Sequence, residues 1–156
     1  MRKWLLALGV LSLLSCQKKD TSQIETKSLI PKNDYAMLIV ESESCIYCKQ
    51  LRRDLQKEEI ARELQGMDVQ SILYESNAKV RHILKGKETI STEEELARYL
   101  KVNSFPQVFF YNKEGKILLH LPGYQPPKNL ACSIRFVKEE MYKEEKYMDY
   151  MKTKCI

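Results

Sequence analysis

Glycine, proline and histidine are scarce in this 156-residue sequence, which contains five glycines, five prolines and two histidines. So little glycine and proline excludes a collagen-like or low-complexity chain. The two histidines, His82 and His120, are far apart in the sequence and offer no cluster for a metal. No apolar run approaches the roughly 20 residues that a membrane-spanning helix needs. What is present, 44% hydrophobic and 30% charged residues, is typical of one folded domain with a modest core.

A strong charge of one sign is also lacking. The formal net charge is +5. Removal of Arg2 and Lys3, which we expect to be cleaved, leaves 24 of the 26 basic residues against 21 acidic ones, a balance of +3. This excess is too small to argue for nucleic-acid binding, so no nucleic-acid partner is expected.

The N-terminus predicts export and a lipid anchor. Two basic residues precede an apolar run at residues 4–14, which is too short to span a bilayer. Ser15 and Cys16 then complete a Leu-Leu-Ser-Cys pattern that resembles the bacterial lipobox, in which signal peptidase cuts before a diacylated cysteine. Residues 1–15 are therefore predicted to be a lipoprotein signal peptide, and Cys16 is predicted to be lipidated. An ordinary signal peptide or a buried helix is the alternative.

The lipobox-like pattern implies a periplasmic, membrane-anchored lipoprotein. Gln17, rather than aspartate, follows Cys16, and this favours the outer membrane over the inner one. Disulfides persist in oxidising compartments such as the periplasm, so redox-active cysteines suit this location. The polar residues 16–34 are predicted to form a flexible tether. Residues 35–156 are then the folded domain.

The first predicted strand leads to a pair of cysteines. The apolar residues 36–40 predict a central strand that is covered on both faces. Leucine and alanine residues near helical spacing between residues 51 and 64 predict a helix that Gly66 ends. Cys45 lies at the N-terminus of this helix, where the macrodipole and free N–H groups favour a thiolate. Cys48 follows one turn later on the same face, within reach of a disulfide.

Strands and helices continue to alternate beyond this helix. Residues 68–74 predict a strand that completes a βαβ unit, and a Cys-x-x-Cys near such a unit is typical of a redox motif. Residues 77–90 are less regular. A helix with a capping box, at Ser91–Glu94 or Thr92–Glu95, and a hairpin over residues 108–121 are predicted next. A final helix is predicted to begin at Pro127, with an outer pair formed by Glu139 and Lys143. Its inner face consists of Leu130, Ile134, Val137 and Met141.

The order of these elements resembles the thioredoxin superfamily from about Tyr35 onward. Val-Asn-Ser-Phe-Pro at residues 102–106 and Pro-Gly-Tyr at residues 122–124 are similar to motifs of the SoxW-type periplasmic thioredoxins. The resemblance implies an α/β thioredoxin fold with a central mixed sheet flanked by helices. It also implies an insertion before the short helix that precedes a cis-proline loop.

The resemblance further implies roles for the residues around the cysteines. Cys45 is the implied nucleophile and Cys48 the implied resolving cysteine of a redox-active disulfide. The proline that matches Pro106 follows a cis bond in the family and lies beside the cysteines. Phe105 would present its backbone to an extended substrate by strand addition. Tyr47, between the cysteines, is assigned to substrate binding with these two residues.

The sequence departs from the family pattern near the cysteines. Many thioredoxins have a buried acid six residues before the nucleophilic cysteine, where this chain has Ile39. Glu41 and Glu43 are closer in sequence and are either substitutes that act through water or solvated loop charges. Ile46 replaces the proline or glycine that often follows the first cysteine. The direction of electron flow therefore stays open at this point.

The expected function is a thiol:disulfide oxidoreductase that reduces protein disulfides, without a cofactor or a metal. We expect a monomer whose partners are protein disulfide substrates, the membrane through the N-terminal lipid, and a transmembrane electron donor. A disulfide oxidase of the same fold is one alternative. A non-catalytic module that binds metal or protein is another, although one Cys-x-x-Cys without a nearby histidine leaves a metal site underfilled.

Two further questions stay open from the sequence. Cys132 and Cys155 either form a disulfide that ties the C-terminal tail to the last helix, or remain a semi-buried thiol and a free thiol. Residues 138–154, with their methionines and tyrosines, form either a partner-binding surface or a solvated helix face.

Overall fold

The computed structural model of this chain describes residues 25–156. In chain order the elements are β1 (Lys27–Ser28), β2 (Tyr35–Glu41), α1 (Ile46–Asp54), α2 (Glu58–Glu63), β3 (Asp68–Leu73), β4 (Lys79–His82), β5 (Thr89–Thr92), α3 (Glu93–Tyr99), β6 (Gln107–Asn112), β7 (Ile117–Pro122), α4 (Pro127–Lys138) and α5 (Tyr147–Lys154). The predicted signal peptide at residues 1–15, the predicted lipid site Cys16 and the first part of the tether lie outside the described residues. Within residues 25–156, none of the helices has the length and apolar character needed to cross a membrane.

Four strands form a mixed central sheet in the order β3-β2-β6-β7. β2 runs parallel to β3 and antiparallel to β6, and β7 returns antiparallel to β6. Because α1 and α2 connect the parallel pair, the predicted βαβ unit is present. This is the central mixed sheet that the family resemblance implies.

The two middle strands of this sheet are buried on both faces. On β2, Met37 and Ile39 pack into one apolar cluster, whereas Leu38 packs into the cluster on the opposite face. On β6, Phe110 and Tyr111 divide between the two clusters in the same way. Full burial of one large apolar side chain stabilises a fold by about 1.5–3 kcal/mol. These two strands therefore hold the element that leads into the cysteines firmly in the centre of the domain.

The helix predicted to run as far as Gly66 is divided into α1 and α2. Lys57, between them, has an extended backbone with ψ 137°, and the break shifts the phase of the buried face. As a result Ile60 is buried, whereas Ala61, which the spacing placed on the inner face, is exposed. Gly66 ends the segment at φ +76°, a left-handed conformation that glycine adopts without steric cost.

The irregular residues 77–90 supply two strands of a second, three-stranded sheet. Its order is β1-β4-β5, with β1 parallel to β4 and β4 antiparallel to β5. Between β4 and β5, the backbone N–H of Lys85 donates to the carbonyl of Gly115 at 2.8 Å, so the insertion rests on the β6–β7 turn. Local periodicity does not predict this sheet because its strands are short and one of them comes from a distant part of the chain.

The tether predicted for residues 16–34 gives way to folded structure before Tyr35. Strand β1 pairs with β4, Leu29 is fully buried, and the Tyr111 hydroxyl donates to the Leu29 carbonyl at 2.6 Å. The carboxylate of Asp68 also accepts from the backbone N–H of Lys32 at 2.7 Å. The folded domain therefore begins by β1, because these residues bury apolar surface and pair backbone groups that a tether would leave to water.

The predicted capping box forms at the second of its two alternatives. The Thr92 hydroxyl accepts a hydrogen bond from the backbone N–H of Glu95 at 3.1 Å, and the Glu95 carboxylate accepts from the backbone N–H of Thr92 at 2.7 Å. The two bonds satisfy N–H groups that the start of α3 leaves without helical partners. The predicted hairpin is also present, as β6 and β7.

Helix α4 ends earlier than its apolar spacing predicts. Three of the four residues of the predicted inner face are buried on the helix, and the fourth, Met141, lies in a 3-10 turn beyond its end. Glu140 adopts a left-handed backbone with φ 57°, which stops the helix. The predicted pair of Glu139 and Lys143 therefore does not form, and Lys143 pairs with Glu140 at 2.7 Å instead.

The C-terminal segment folds back onto α4. Tyr150, on α5, is 3% exposed and belongs to the same apolar cluster as α4. Cys132, on α4, forms a disulfide with Cys155, their Cα atoms lying 6.0 Å apart. The structure therefore selects the disulfide of the two alternatives for these cysteines, and α5 contributes to the core rather than forming only a solvated face.

Candidate active site

The Cys45–Cys48 pair forms a disulfide at the start of α1. The two Cα atoms are 5.2 Å apart. Cys45 is the N-cap of the helix, and its Sγ accepts a hydrogen bond from the backbone N–H of Cys48 at 3.0 Å. Cys45 is half-buried, whereas Cys48 is 1% exposed. Of the two sulfurs, the one that the sequence assigns as the nucleophile belongs to the more accessible cysteine.

The start of α1 favours negative charge on Cys45 once the disulfide is reduced. The first turn of the helix contains no acidic residue, so no side chain offsets the positive end of the helix dipole. Arg52 and Arg53 lie in the last turn, where they complement the opposite end. A thiolate, not a thiol, is the nucleophile in disulfide exchange, so this placement suits Cys45 to attack.

Phe105 reaches the same surface from the loop before β6. A shallow groove with a volume of about 250 Å³ is lined by Ser42, Ser44, Cys45, Ile46, Tyr47 and Phe105. The Phe105–Pro106 peptide bond is cis, as the family resemblance implies, and Pro106 is buried next to the start of β6. The fold thus brings Phe105 beside Cys45 although 60 positions separate them in the sequence.

Exposed apolar and aromatic side chains surround the disulfide. Ile46 is 72% exposed and Tyr47 is 59% exposed. The Tyr47 ring stacks against Tyr124, with ring centroids 5.8 Å apart and planes 29° apart. Phe105 meets Tyr74 edge-on at 5.2 Å. Such side chains form a surface that suits an apolar segment of another protein chain.

Ile39 occupies the position at which many thioredoxins have a buried acid. Its side chain is 2% exposed and packs in the apolar core. Of the two nearby carboxylates, Glu43 is exposed. Glu41 is 5% exposed and receives two hydrogen bonds from the guanidinium of Arg52, at 2.8 and 2.6 Å. Glu41 is therefore a paired structural carboxylate rather than a solvated loop charge.

Glu75 is a further carboxylate at this end of the sheet. It accepts hydrogen bonds from the Ser42 hydroxyl and from the backbone N–H of Glu43, the latter at 3.2 Å. The Ser42 hydrogen bond is the main cause that holds the pKa of Glu75 below its ordinary value. Glu75 therefore stays ionised near neutral pH and fixes the loop that precedes Cys45.

Sequence reasoning missed Asp54, a fully buried residue at the end of α1. Its carboxylate accepts from the Gln50 amide at 3.0 Å and from the Tyr124 hydroxyl, and it pairs with Lys57 at 2.9 Å. Burial by itself would raise the pKa of Asp54, but these hydrogen bonds, led by that of Tyr124, hold the pKa below its ordinary value. The available signal was position, because Cys48, Leu51 and Asp54 follow one another at intervals of three on the buried face.

The two histidines do not join the cysteines. His120 packs flat on Phe109 at 4.2 Å and bonds to the side chain of Gln107 at 2.7 Å. His82 is 4% exposed on β4, in the second sheet. Burial lowers the pKa of both imidazoles. In the part of the chain that the structure describes, no three histidine, cysteine, aspartate or glutamate side chains converge as a metal site would require.

Comparison with protein families gives one match, which covers most of the chain. The model of the thioredoxin-like domain matches residues 23–138. The match contains both cysteines of the α1 disulfide, the insertion sheet and α4. It ends before α5 and Cys155. No curated protein sequence matches this chain significantly.

Comparison with solved structures identifies the fold independently. A thioredoxin-fold protein from Helicobacter pylori is 23% identical, with a TM-score of 0.73, and the match covers 84% of this chain and 85% of that one. A thioredoxin from Thermus thermophilus is 22% identical, with a TM-score of 0.52, and the match covers 67% of this chain and 74% of that one. The fold is thus the thioredoxin fold. This fold together with the Cys-x-x-Cys disulfide supports thiol:disulfide oxidoreductase activity in general.

Proposed function

We propose that this chain, which belongs to the thioredoxin-like domain family, is a disulfide reductase that acts on other proteins. The single observation that carries the proposal is the Cys45–Cys48 disulfide at the N-terminus of α1, with the more accessible sulfur at the helix cap and the other buried behind it. One cysteine is thereby suited to attack, and its partner is held where it can only resolve.

The reaction proceeds by two thiol:disulfide exchanges. The Cys45 thiolate attacks one sulfur of a client disulfide, a Cys45–client S–S bond forms as the client S–S bond breaks, and the second client sulfur leaves as a thiolate that takes up a proton. Cys48 then attacks the Cys45 sulfur, and its proton passes to the first client sulfur, which leaves as a thiol. Two electrons have passed to the client, and the Cys45–Cys48 disulfide has formed.

Several groups around the disulfide support these steps. The backbone N–H of Cys48, which donates to the Cys45 sulfur at 3.0 Å, stabilises negative charge on that sulfur before attack. The groove bounded by Tyr47 and Phe105 offers the client a place beside the reacting sulfur. We assign the backbone of Phe105, which precedes the cis bond to Pro106, to pairing with an extended client segment.

The location and the electron source belong to the same proposal and are supported by the sequence. The lipobox-like residues before Cys16 support a lipid anchor on the periplasmic side of a membrane, with the outer membrane favoured. An oxidising compartment would keep the cysteine pair oxidised, so a reductase there needs a membrane-embedded dithiol donor. The resemblance to the SoxW-type periplasmic thioredoxins supports the reducing direction.

The reduction potential of the Cys45–Cys48 couple tests the proposed direction. A dithiol that reduces client proteins is expected to have a potential near that of thioredoxin, about −270 mV, whereas a value near −120 mV would identify an oxidase. The purified domain should also accelerate reduction of insulin disulfides by dithiothreitol. A domain that neither accelerates this reaction nor accepts electrons from dithiothreitol contradicts oxidoreductase function itself.

A Cys48→Ser variant tests the order of the two exchanges. It retains the nucleophile but cannot resolve, so it is expected to accumulate a mixed disulfide between Cys45 and its client. Labelling with a radioactive fatty acid in cells tests the anchor, because Cys16→Ser should remove the label. Label that persists in the Cys16→Ser variant contradicts the anchor but not the chemistry.

A further inference from the structure

A chain of contacts connects a buried carboxylate to the surface beside the disulfide. Asp54 is fully buried at the end of α1. The hydroxyl of Tyr124, from the segment between β7 and α4, donates to this carboxylate. The ring of Tyr124 stacks on Tyr47, and Tyr47 lies between the two cysteines. Two contacts, a hydrogen bond and a ring stack, thus connect the interior to the surface beside the disulfide.

The carboxylate end of this chain is fixed and charged. A fully buried aspartate is rare unless its charge is paired. Here Lys57 supplies the pairing charge at 2.9 Å and the Gln50 amide supplies a further hydrogen bond at 3.0 Å. Hydrogen bonding to Asp54, burial and the charge of this carboxylate together raise the pKa of Tyr124 to about 12, so its hydroxyl remains a donor at physiological pH.

A fixed hydroxyl orients the whole aromatic ring of Tyr124. A tyrosine side chain rotates about only two bonds, so anchoring its far end leaves the ring plane little freedom. This plane lies within 29° of the Tyr47 ring plane. Tyr47 has no hydrogen-bond partner for its own hydroxyl within the described residues, and it is 59% exposed. The stack on Tyr124 is therefore the contact that orients Tyr47 on the surface.

We propose that Asp54 and Tyr124 are positioning residues that hold Tyr47 as an aromatic wall beside the Cys45–Cys48 disulfide, and that this wall makes the protein prefer client disulfides flanked by an aromatic residue. The proposal rests on the proposed reductase function and specifies its client class. Ile46, 72% exposed, and Phe105 line the same groove and extend the apolar surface around the reacting sulfur. Aromatic pairs add stabilisation beyond the area that they bury.

Two synthetic peptides test this preference. Each is closed by one intramolecular disulfide, and they differ only in the residue before the first cysteine, which is Phe in one and Ser in the other. The wild-type protein, recycled by dithiothreitol, is expected to reduce the Phe peptide with a kcat/KM about fivefold higher than that of the Ser peptide, the effect of one aromatic pair. The difference should lie mainly in KM, because the wall contacts the flanking side chain and not the reacting sulfurs.

Variants along the chain should reduce this preference. Tyr47→Ala is expected to abolish it. Asp54→Asn and Tyr124→Phe are expected to lower it to about twofold or less, and these two variants should reduce the Ser peptide at the wild-type kcat/KM. Tyr124→Phe keeps the ring and leaves Asp54 with Lys57 and Gln50, so this variant carries the test if Asp54→Asn does not fold.

A matched control separates positioning from general stability. Tyr35→Phe also removes a tyrosine hydroxyl that bonds to a carboxylate, that of Glu140. Tyr35 begins β2, at the end opposite the cysteine loop and about 20 Å away at 3.3 Å per residue. This variant should keep the wild-type preference.

The outcomes distinguish the two proposals. Equal kcat/KM for both peptides with the wild-type protein, or an unchanged preference in Tyr124→Phe and Tyr47→Ala, overturns the aromatic wall and leaves the reductase function intact. Failure of the wild-type protein to reduce either peptide or insulin overturns the reductase function instead.

Discussion

The two disulfides within residues 25–156 have the same pattern of exposure, but the half-buried cysteine of each pair caps the opposite end of a helix. In each pair one cysteine is buried at 1% exposure, Cys48 or Cys132, and the other is half-buried. Cys45 is the N-cap of α1, whereas Cys155 is the C-cap of α5. The helix dipole favours a thiolate at the first position and disfavours one at the second.

The comparison shows that accessibility alone does not identify the reactive pair. Exchange requires a thiolate, so the helix end that favours negative charge supports Cys45 as the proposed attacking sulfur. The pairs also differ in span, with three positions separating the first pair and 23 the second. Cys155 lies beyond the residues that the thioredoxin-like domain model matches, so the second disulfide joins the matched region to the residues that follow it.

The largest expected difference between the pairs is in activity. The double variant Cys45→Ser/Cys48→Ser should lower insulin-disulfide reduction to the uncatalysed rate, because no sulfur remains at the start of α1. The matched double variant Cys132→Ser/Cys155→Ser should retain most of the wild-type rate. The turbidity assay for reduced insulin measures both, and substantial activity in the first variant would reverse the assignment of the two pairs.

Stability is expected to change in the opposite order. Loss of the Cys132–Cys155 disulfide should lower the free energy of unfolding by about 3 kcal/mol, because the closed loop of 23 residues restricts the unfolded chain. Loss of the Cys45–Cys48 disulfide should cost less, since its loop is far shorter. Urea denaturation of the two double variants measures both values. Equal losses would show that loop length does not account for the difference.

A smaller difference is expected in the rate of reduction. At limiting dithiothreitol, the Cys45–Cys48 disulfide should be reduced roughly three- to tenfold faster than Cys132–Cys155, a range that matches the helix-dipole energy at the two ends. Alkylation of the released thiols, followed by mass spectrometry of peptides, resolves the two pairs. Faster release of Cys155 would contradict the role of the helix ends.

The smallest effect is expected in the pH dependence of the unfolding free energy. It involves Asp54, on the helix that begins at the Cys45–Cys48 disulfide. The pKa of Asp54 in the folded state is below its ordinary value of 3.8, so its stabilising contribution is present above that value and is lost as the pH falls below it. Asp54→Asn should therefore flatten the decline of the unfolding free energy under acid conditions. Denaturation between pH 6 and pH 2.5 measures it.

Glu43→Gln provides the control for this measurement. Its carboxylate is exposed and forms no hydrogen bond within the described residues. The variant should therefore keep the acid decline of the wild-type protein. A decline in Asp54→Asn as steep as that of the wild-type protein would show that Asp54 is not held as an anion.

Features that depend on local spacing could be predicted from the sequence. The apolar run that became β2 was identified, and Thr92–Glu95 was one of the two predicted capping boxes, because apolar runs and caps involve residues a few positions apart. The position of Cys45 at a helix start followed from the same local reasoning. Local patterns therefore located strands of the central sheet and the cysteine pair.

Local patterns failed where short elements depend on distant partners. β1 is two residues long and is held by β4, so its pairing left no periodic signal. The break at Lys57 turned one predicted helix into two, and the apolar spacing on either side of it resembles that of a continuous helix. The early end of α4 was also not predicted, because the residue with the left-handed backbone there is Glu140 and not glycine, the usual sequence signal for such an end.

By itself, the sequence determined the apolar strand before the cysteines, the helix start at Cys45 and the hairpin of β6 and β7, because each follows from patterns within a few residues. The order of the predicted elements then resembled the thioredoxin superfamily. Only the tertiary structure decided that Asp54 is buried against Tyr124, 70 positions away, and that Cys132 is joined to Cys155. The physical reason is that these contacts depend on how helices and loops pack. Packing brings together residues that are far apart in the chain, and such contacts leave no regular spacing in the sequence.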